Sequence, residues 1–161
     1  MNNALEVDID VALDQSSQVY LPDQAMIENW IDATLRKSAY GKPVQVSIRI
    51  VDEQEITQLN EKYRHKNQVT NVLSFPYQAL PGVDIPLLGD IVVCAKVVED
   101  EAKQQDKSAE QHWAHMIIHG TLHLLGYDHI NQTDAEQMEE LEINILSGLG
   151  FPNPYGELNT P

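Results

Sequence analysis

Residues 88–94, Leu-Gly-Asp-Ile-Val-Val-Cys, are apolar nearly throughout. A short run of this kind reads as a strand buried on both faces, and so as a central strand of a sheet. Its neighbours can be read along the chain. Leu5, Val7, Ile9 and Val11 alternate with polar residues, as do Val44, Val46, Ile48 and Ile50. Each set has the period of a half-buried strand. Val69 to Phe75 gives a further strand, closed by Pro76. Residues 77–87, with Pro81, Gly82 and Pro86, read as a loop.

Helical patterns fill the rest. Pro22 and Asp23 open one that carries Met26, Ile27, Trp30, Ala33 and Leu35, and Gly41 and Pro43 end it. Asp52 is the predicted N-cap of a short helix with Ile56, Leu59 and Tyr63. Lys96 to Gln105 is helical in composition. Ser108 and Gln111 form a capping box for a helix running to about Leu125, with Gly126 as its left-handed end. Thr133 and Glu136 read as a second capping box, opening a helix with Met138, Leu141, Ile145 and Leu149 inward and Gly148 and Gly150 at its end. The 161 residues therefore predict one α+β domain over 1–161, a small mixed four-stranded sheet packed with about five helices.

The N-terminus has neither a basic region nor an apolar core of a secretory signal, and no run is long and apolar enough to span a membrane. Cys94 is the only cysteine, so no internal disulfide and no cysteine-based zinc site can form. Its apolar surroundings make it a buried inert thiol. The expected location is the cytoplasm, with no membrane partner. The formal net charge of −15 argues against a general nucleic-acid binder. That charge is uneven. All ten Lys and Arg lie in residues 1–107, whereas residues 108–161 hold none, carry eight acids, and contain five of the six histidines. Such a stretch suits a divalent metal ion.

The segment that carries chemistry runs from His119 to His129, His-Gly-Thr-Leu-His-Leu-Leu-Gly-Tyr-Asp-His. His119 and His123 are i and i+4 on one helix, so their side chains leave the same face about one turn apart. Gly126 allows a turn that can swing His129 back as a third ligand. Three histidines leave a fourth position for water, the arrangement of a catalytic zinc site. Nickel, cobalt or copper would also be accepted. His112 and His115 lie upstream on the same helix and read as packing groups or outer supports of the site. The spacing resembles the metzincin peptidase pattern, in which a Glu follows the first His. Here that position is Gly120, so the general base of peptide hydrolysis is missing.

The segment HGTLHLLGYDH, with LGDI at 88–91, YR at 63–64 and TNVLSFP at 70–76, resembles the YbeY family of bacterial endoribonucleases over roughly residues 5–155. One departure is visible: many members read Thr-Asp-Val where this chain has Asn71. The resemblance implies a zinc-dependent hydrolase specific for single-stranded RNA. It also implies roles in 3′-end maturation of 16S ribosomal RNA and in quality control of 70S ribosomes. His119, His123 and His129 carry over as ligands of one zinc ion, and Arg64 as a functional arginine near it. Single-stranded RNA and a ribosomal partner are the implied partners, DNA is not, and the site is metzincin-like.

Lys62, Arg64, His65 and Lys66 form the densest basic cluster of an acidic chain. A guanidinium offers a planar fork to phosphate oxygens and can stabilise charge developing on them. Asp128, next to a ligand histidine, can orient the site, act as a base, or simply shape the helix exit. Tyr127 reads as packing, and Ser74 as a residue lining the cleft. The general base stays open, as does the choice between water and a 2′-hydroxyl as attacking group. A zinc peptidase and a ribosome-assembly factor with a structural zinc are the alternatives. The acidic remainder would disfavour indiscriminate RNA binding, leaving a grip at one small positive site.

Overall fold

The alternating patterns near the N-terminus become neighbouring strands. A computed structural model describes residues 5–14, 16–78, 81–82, 86–128 and 130–155. Its elements are β1 (Leu5–Val11), α1 (Gln24–Lys37), β2 (Val44–Val51), α2 (Glu53–Arg64), β3 (Val72–Pro76), β4 (Leu87–Cys94), α3 (Ala95–Gln104), α4 (Ala109–Leu124) and α5 (Gln132–Gly148). The sheet order is β1-β2-β4-β3. β1, β2 and β4 run parallel, with Ile9 opposite Ile48 and Ile48 opposite Ile91. β3 is antiparallel to β4, with Ser74 opposite Ile91. The result is a small single-domain α+β fold with a four-stranded mixed sheet and five helices.

β4 lies inside the sheet, as its apolar run requires, but its two faces differ. Ile91 and Val93 join the main core with Val46, Ile48, Ile50, Ile27, Trp30, Trp113 and Ile117. On the other face, Val92 and Cys94 pack with Val51, Leu73, and Ile56 and Leu59 of α2. Asp90 on that face is exposed. The expectation of a strand buried on both faces holds only under α2. Cys94 is fully buried, and burial pushes its thiol pKa up, in keeping with an inert residue.

Side-chain caps set most helix starts. Asp23 accepts from the Met26 N–H, Asp52 from Glu55 and Ser108 from Gln111. Three boundaries differ from the sequence reading by more than one residue. β3 begins at Val72, not Val69, because the Asn71 Oδ1 takes the Val72 N–H at 2.7 Å and the Asn71 carbonyl takes the Cys94 N–H. α1 stops at Lys37, where Ala39 turns left-handed at φ 56° well before Gly41. α5 begins at Gln132, capped by Asn131, whose Oδ1 accepts from Asp134 N at 2.9 Å. Thr133 is thus already inside the helix and is not its cap. Among the described residues, no helix is long and apolar enough to cross a membrane.

Candidate active site

α4 is buried on nearly every side and packs against α1, α3, α5 and the sheet. Its helical period brings His119 and His123 together, with their Nε2 atoms 3.1 Å apart. Behind them, the His119 Nδ1 lies 2.5 Å from Oε2 of Glu142 on α5. An ionised carboxylate only accepts, so His119 donates from Nδ1 and its Nε2 holds the lone pair. The other Glu142 oxygen, Oε1, accepts from His115 Nε2 at 2.8 Å and from the Tyr155 hydroxyl. Glu142 is 0% exposed. Burial alone would push its pKa up, but the bonds from His115 and His119 outweigh it and hold the carboxyl at about 2. Burial lowers the pKa of His115, against the opposing pull of Glu142.

The residue between the two histidines on the sheet side is Gly120. A Cβ placed there would sit 3.0 Å from Ile91 Cγ2 and 3.2 Å from Ser74 Oγ. The Ser74 hydroxyl donates to the Gly120 carbonyl at 3.3 Å. Helix and sheet approach closely here, so any side chain at position 120 would require Ile91 or Ser74 to give way slightly.

α4 ends in the turn predicted for Gly126, which has φ 102°. The Gly126 N–H donates to the His123 carbonyl and the Tyr127 N–H to that of Leu122, the paired bonds of a Schellman end. The turn brings Tyr127 and exposed Asp128 to the wall of the same cleft as His119 and His123. His129 lies outside the described residues. Among the described residues, no group of three or more His, Cys, Asp or Glu is placed to hold a metal ion.

Arg64 stands on the opposite wall of this cleft, which has a volume of about 760 Å³. It is the last residue of α2, and His65 then caps the helix in a left-handed conformation, φ 60°. The buried Asn60 side chain donates to the Gln68 carbonyl at 2.9 Å and ties the following turn down. Arg64 Nη2 donates to the Ser74 carbonyl at 2.7 Å, and its guanidinium lies over the Phe75 ring at 5.3 Å. Of the basic cluster, Arg64 and Lys66 line the cleft. Lys62 instead lies over the Tyr63 ring and lines a groove on the other side of α2. Ser74 lines the cleft, as expected for a residue at that strand end.

The spacing of the His119 and His123 nitrogens is compatible with two ligands of one tetrahedral ion such as zinc. A tetrahedral ion with Zn–N of about 2.1 Å would set two imidazole nitrogens about 3.4 Å apart, close to the observed spacing. A carboxylate behind one of the histidines is the usual support of such a ligand. Sequence reasoning missed Glu142 and Tyr155. The trace that could have found Glu142 is its position on the apolar stripe of α5, four residues after Met138 and three before Ile145.

The departure at Asn71 also has a structural context. Its Nδ2 donates to both Glu101 oxygens at 3.1 and 3.3 Å, and His112 Nε2 lies 2.8 Å from Oε1 of the same carboxylate. The His112 bond is the main cause that holds the Glu101 carboxyl below its usual range, against partial burial. Asn71→Asp would set a second carboxylate against Glu101. We expect a loss of about 1–2 kcal/mol in urea unfolding. The folded state would then favour a shared proton, so the deficit is larger at ~pH 8 and shrinks towards ~pH 5. Equal stability of the two proteins at both pH values would contradict this account.

The family model of the endoribonuclease YbeY matches residues 11–150. Among solved structures, the solution structure of TM1509 from Thermotoga maritima is similar, with 25% sequence identity and a TM-score of 0.55. The match covers 89% of this chain and 91% of that one. Given the match over most of its length, the chain belongs to the YbeY family, endoribonucleases of ribosomal-RNA processing.

Proposed function

We propose that this chain, as one hydrolase domain over 1–161, is a zinc-dependent endonuclease of single-stranded RNA. Its task would be 3′-end maturation of 16S ribosomal RNA and quality control of 70S ribosomes in the cytoplasm, in contact with the ribosome. The observation that carries this reading is the convergence of the His119 and His123 nitrogens on the cleft that Arg64 lines. His119, His123 and His129 would hold one zinc ion, with Glu142 fixing the tautomer of His119. When bound, zinc supplies Lewis-acid stabilisation of negative charge on the phosphate. Arg64 grips the scissile phosphate. Its Nη2 bond to Ser74 and its stacking on Phe75 hold the fork in place, so little is lost in ordering it on substrate. Lys66 on the same wall adds charge for the backbone of a single strand. Asp128, exposed on the cleft, would orient substrate or accept a proton.

Two substitutes for this reading are a zinc peptidase and an assembly factor with a structural zinc. Gly120, at the position where the peptidase pattern has its glutamate base, weighs against the first. The opening of both histidines onto a cleft weighs against the second. The test is cleavage of single-stranded RNA with and without chelator, with Arg64→Ala alongside. Arg64→Ala should lose about 10²–10³-fold in cleavage with its metal content intact. Cleavage that survives both the chelator and Arg64→Ala would refute the proposal. Product ends bearing a cyclic phosphate would assign the attack to the 2′-hydroxyl.

A further inference from the structure

Tyr155 lies beyond the last helix, yet its hydroxyl ends at the carboxylate behind the histidines. The path is built by the sequence. Gly150 turns left-handed at φ 90°, and the Phe151 N–H donates back to the Leu146 carbonyl at 2.9 Å, which folds the chain over α5. The Asn153 Oδ1 then accepts from Tyr155 N at 2.8 Å and orients the tyrosine. Its ring packs edge-on against His115, with centroids 5.4 Å apart. The residue is 38% exposed, so packing alone does not explain its placement.

We infer that Tyr155 is a positioning residue for the metal centre, acting through Glu142 on His119. Glu142 Oε1 is shared by Tyr155 and His115, and Oε2 receives His119 Nδ1. A fully buried carboxylate with three donors has one rotamer, because each alternative leaves a charge without partners. That rotamer sets the tilt of the His119 ring and thereby where its Nε2 points relative to His123. Removing the Tyr155 hydroxyl loosens the carboxylate at one oxygen and the ligand at the other. The C-terminal segment is thus a strap that tightens metal binding from outside the ligand set.

This inference rests on the reading of His119 as a metal ligand. Metal-stripped full-length protein is titrated with Co²⁺ alone, following the visible absorption bands and competition with a chelator. Wild type, Tyr155→Phe, Glu142→Gln and His123→Ala are compared, with the melting temperature of each metal-free protein. Tyr155→Phe should weaken Co²⁺ binding about 3–10-fold and shift the visible bands. Glu142→Gln should weaken it about 10–100-fold. A purely structural strap would lower the melting temperature and leave Co²⁺ affinity and bands unchanged in Tyr155→Phe, and that result overturns the inference. If wild type itself bound no Co²⁺, the metal reading would fall. If wild type bound it, His123→Ala did not, and Tyr155→Phe matched wild type, only the strap would fall.

Discussion

Replacing His123 by alanine is expected to reduce RNA cleavage by about 10³-fold or more, equivalent to several kcal/mol of transition-state stabilisation. The side chain stands in the last turn of α4, partly exposed on the cleft wall. Its removal opens no cavity in the core, so the metal-free variant should fold and melt near wild type. What it deletes is one of two nitrogens held 3.1 Å apart. Ligand binding to the folded state alone raises stability by about 2.7 kcal/mol at a hundredfold excess over Kd. Added zinc should therefore raise the melting temperature of wild type and leave His123→Ala nearly unmoved. Metal content measured after purification without a nickel column completes the comparison. A variant that cleaves RNA at the wild-type rate would remove His123 from the chemistry.

The second large effect is on stability. Gly120→Glu restores the residue found in the peptidase pattern, and it should cost about 3 kcal/mol or more without creating a peptidase. The new Cβ meets Ile91 at 3.0 Å and Ser74 at 3.2 Å, and the carboxylate would then have to enter the gap between α4 and the sheet. For a chain of this size, that loss corresponds to a fall of about 6–12 °C in melting temperature. Gly120→Ala is the informative control. It gains about 1 kcal/mol of helix propensity against the same crowding of Ile91, so a small net change is expected. Peptide hydrolysis by Gly120→Glu, with normal stability, would show that the glycine is not imposed by packing.

Much of the fold was legible because it rests on local physics. The alternation at 5–11 and 44–50, the caps at Asp23, Asp52 and Ser108, and the left-handed exit at Gly126 are decided within a few residues of chain. The order of strands was not, because the pairing of β2 with β4 joins segments separated by α2 and β3. At Val69 the apolar pattern overran the strand, since the competing bonds of Asn71 are invisible to periodicity. The same holds at the site. The spacing of His119 and His123 on one helix was readable, whereas Glu142 comes from another helix. A glutamate in a helix rich in acids looks like surface until the face it occupies is known. Of the basic cluster, only the structure shows that Arg64 and Lys66 turn to the cleft while Lys62 turns away.

The two walls of the cleft also differ in how deeply they are rooted. α4 is enclosed by three helices and the sheet, whereas α2 buries only Ile56 and Asn60 and shows most of its surface to solvent. Amide protons of an enclosed helix exchange only when the whole domain opens, and those of a lightly anchored one exchange through smaller, local openings. The histidine wall therefore persists as long as the fold does. The amides of α2 on the arginine wall are accordingly expected to exchange faster than those of α4 on the histidine wall.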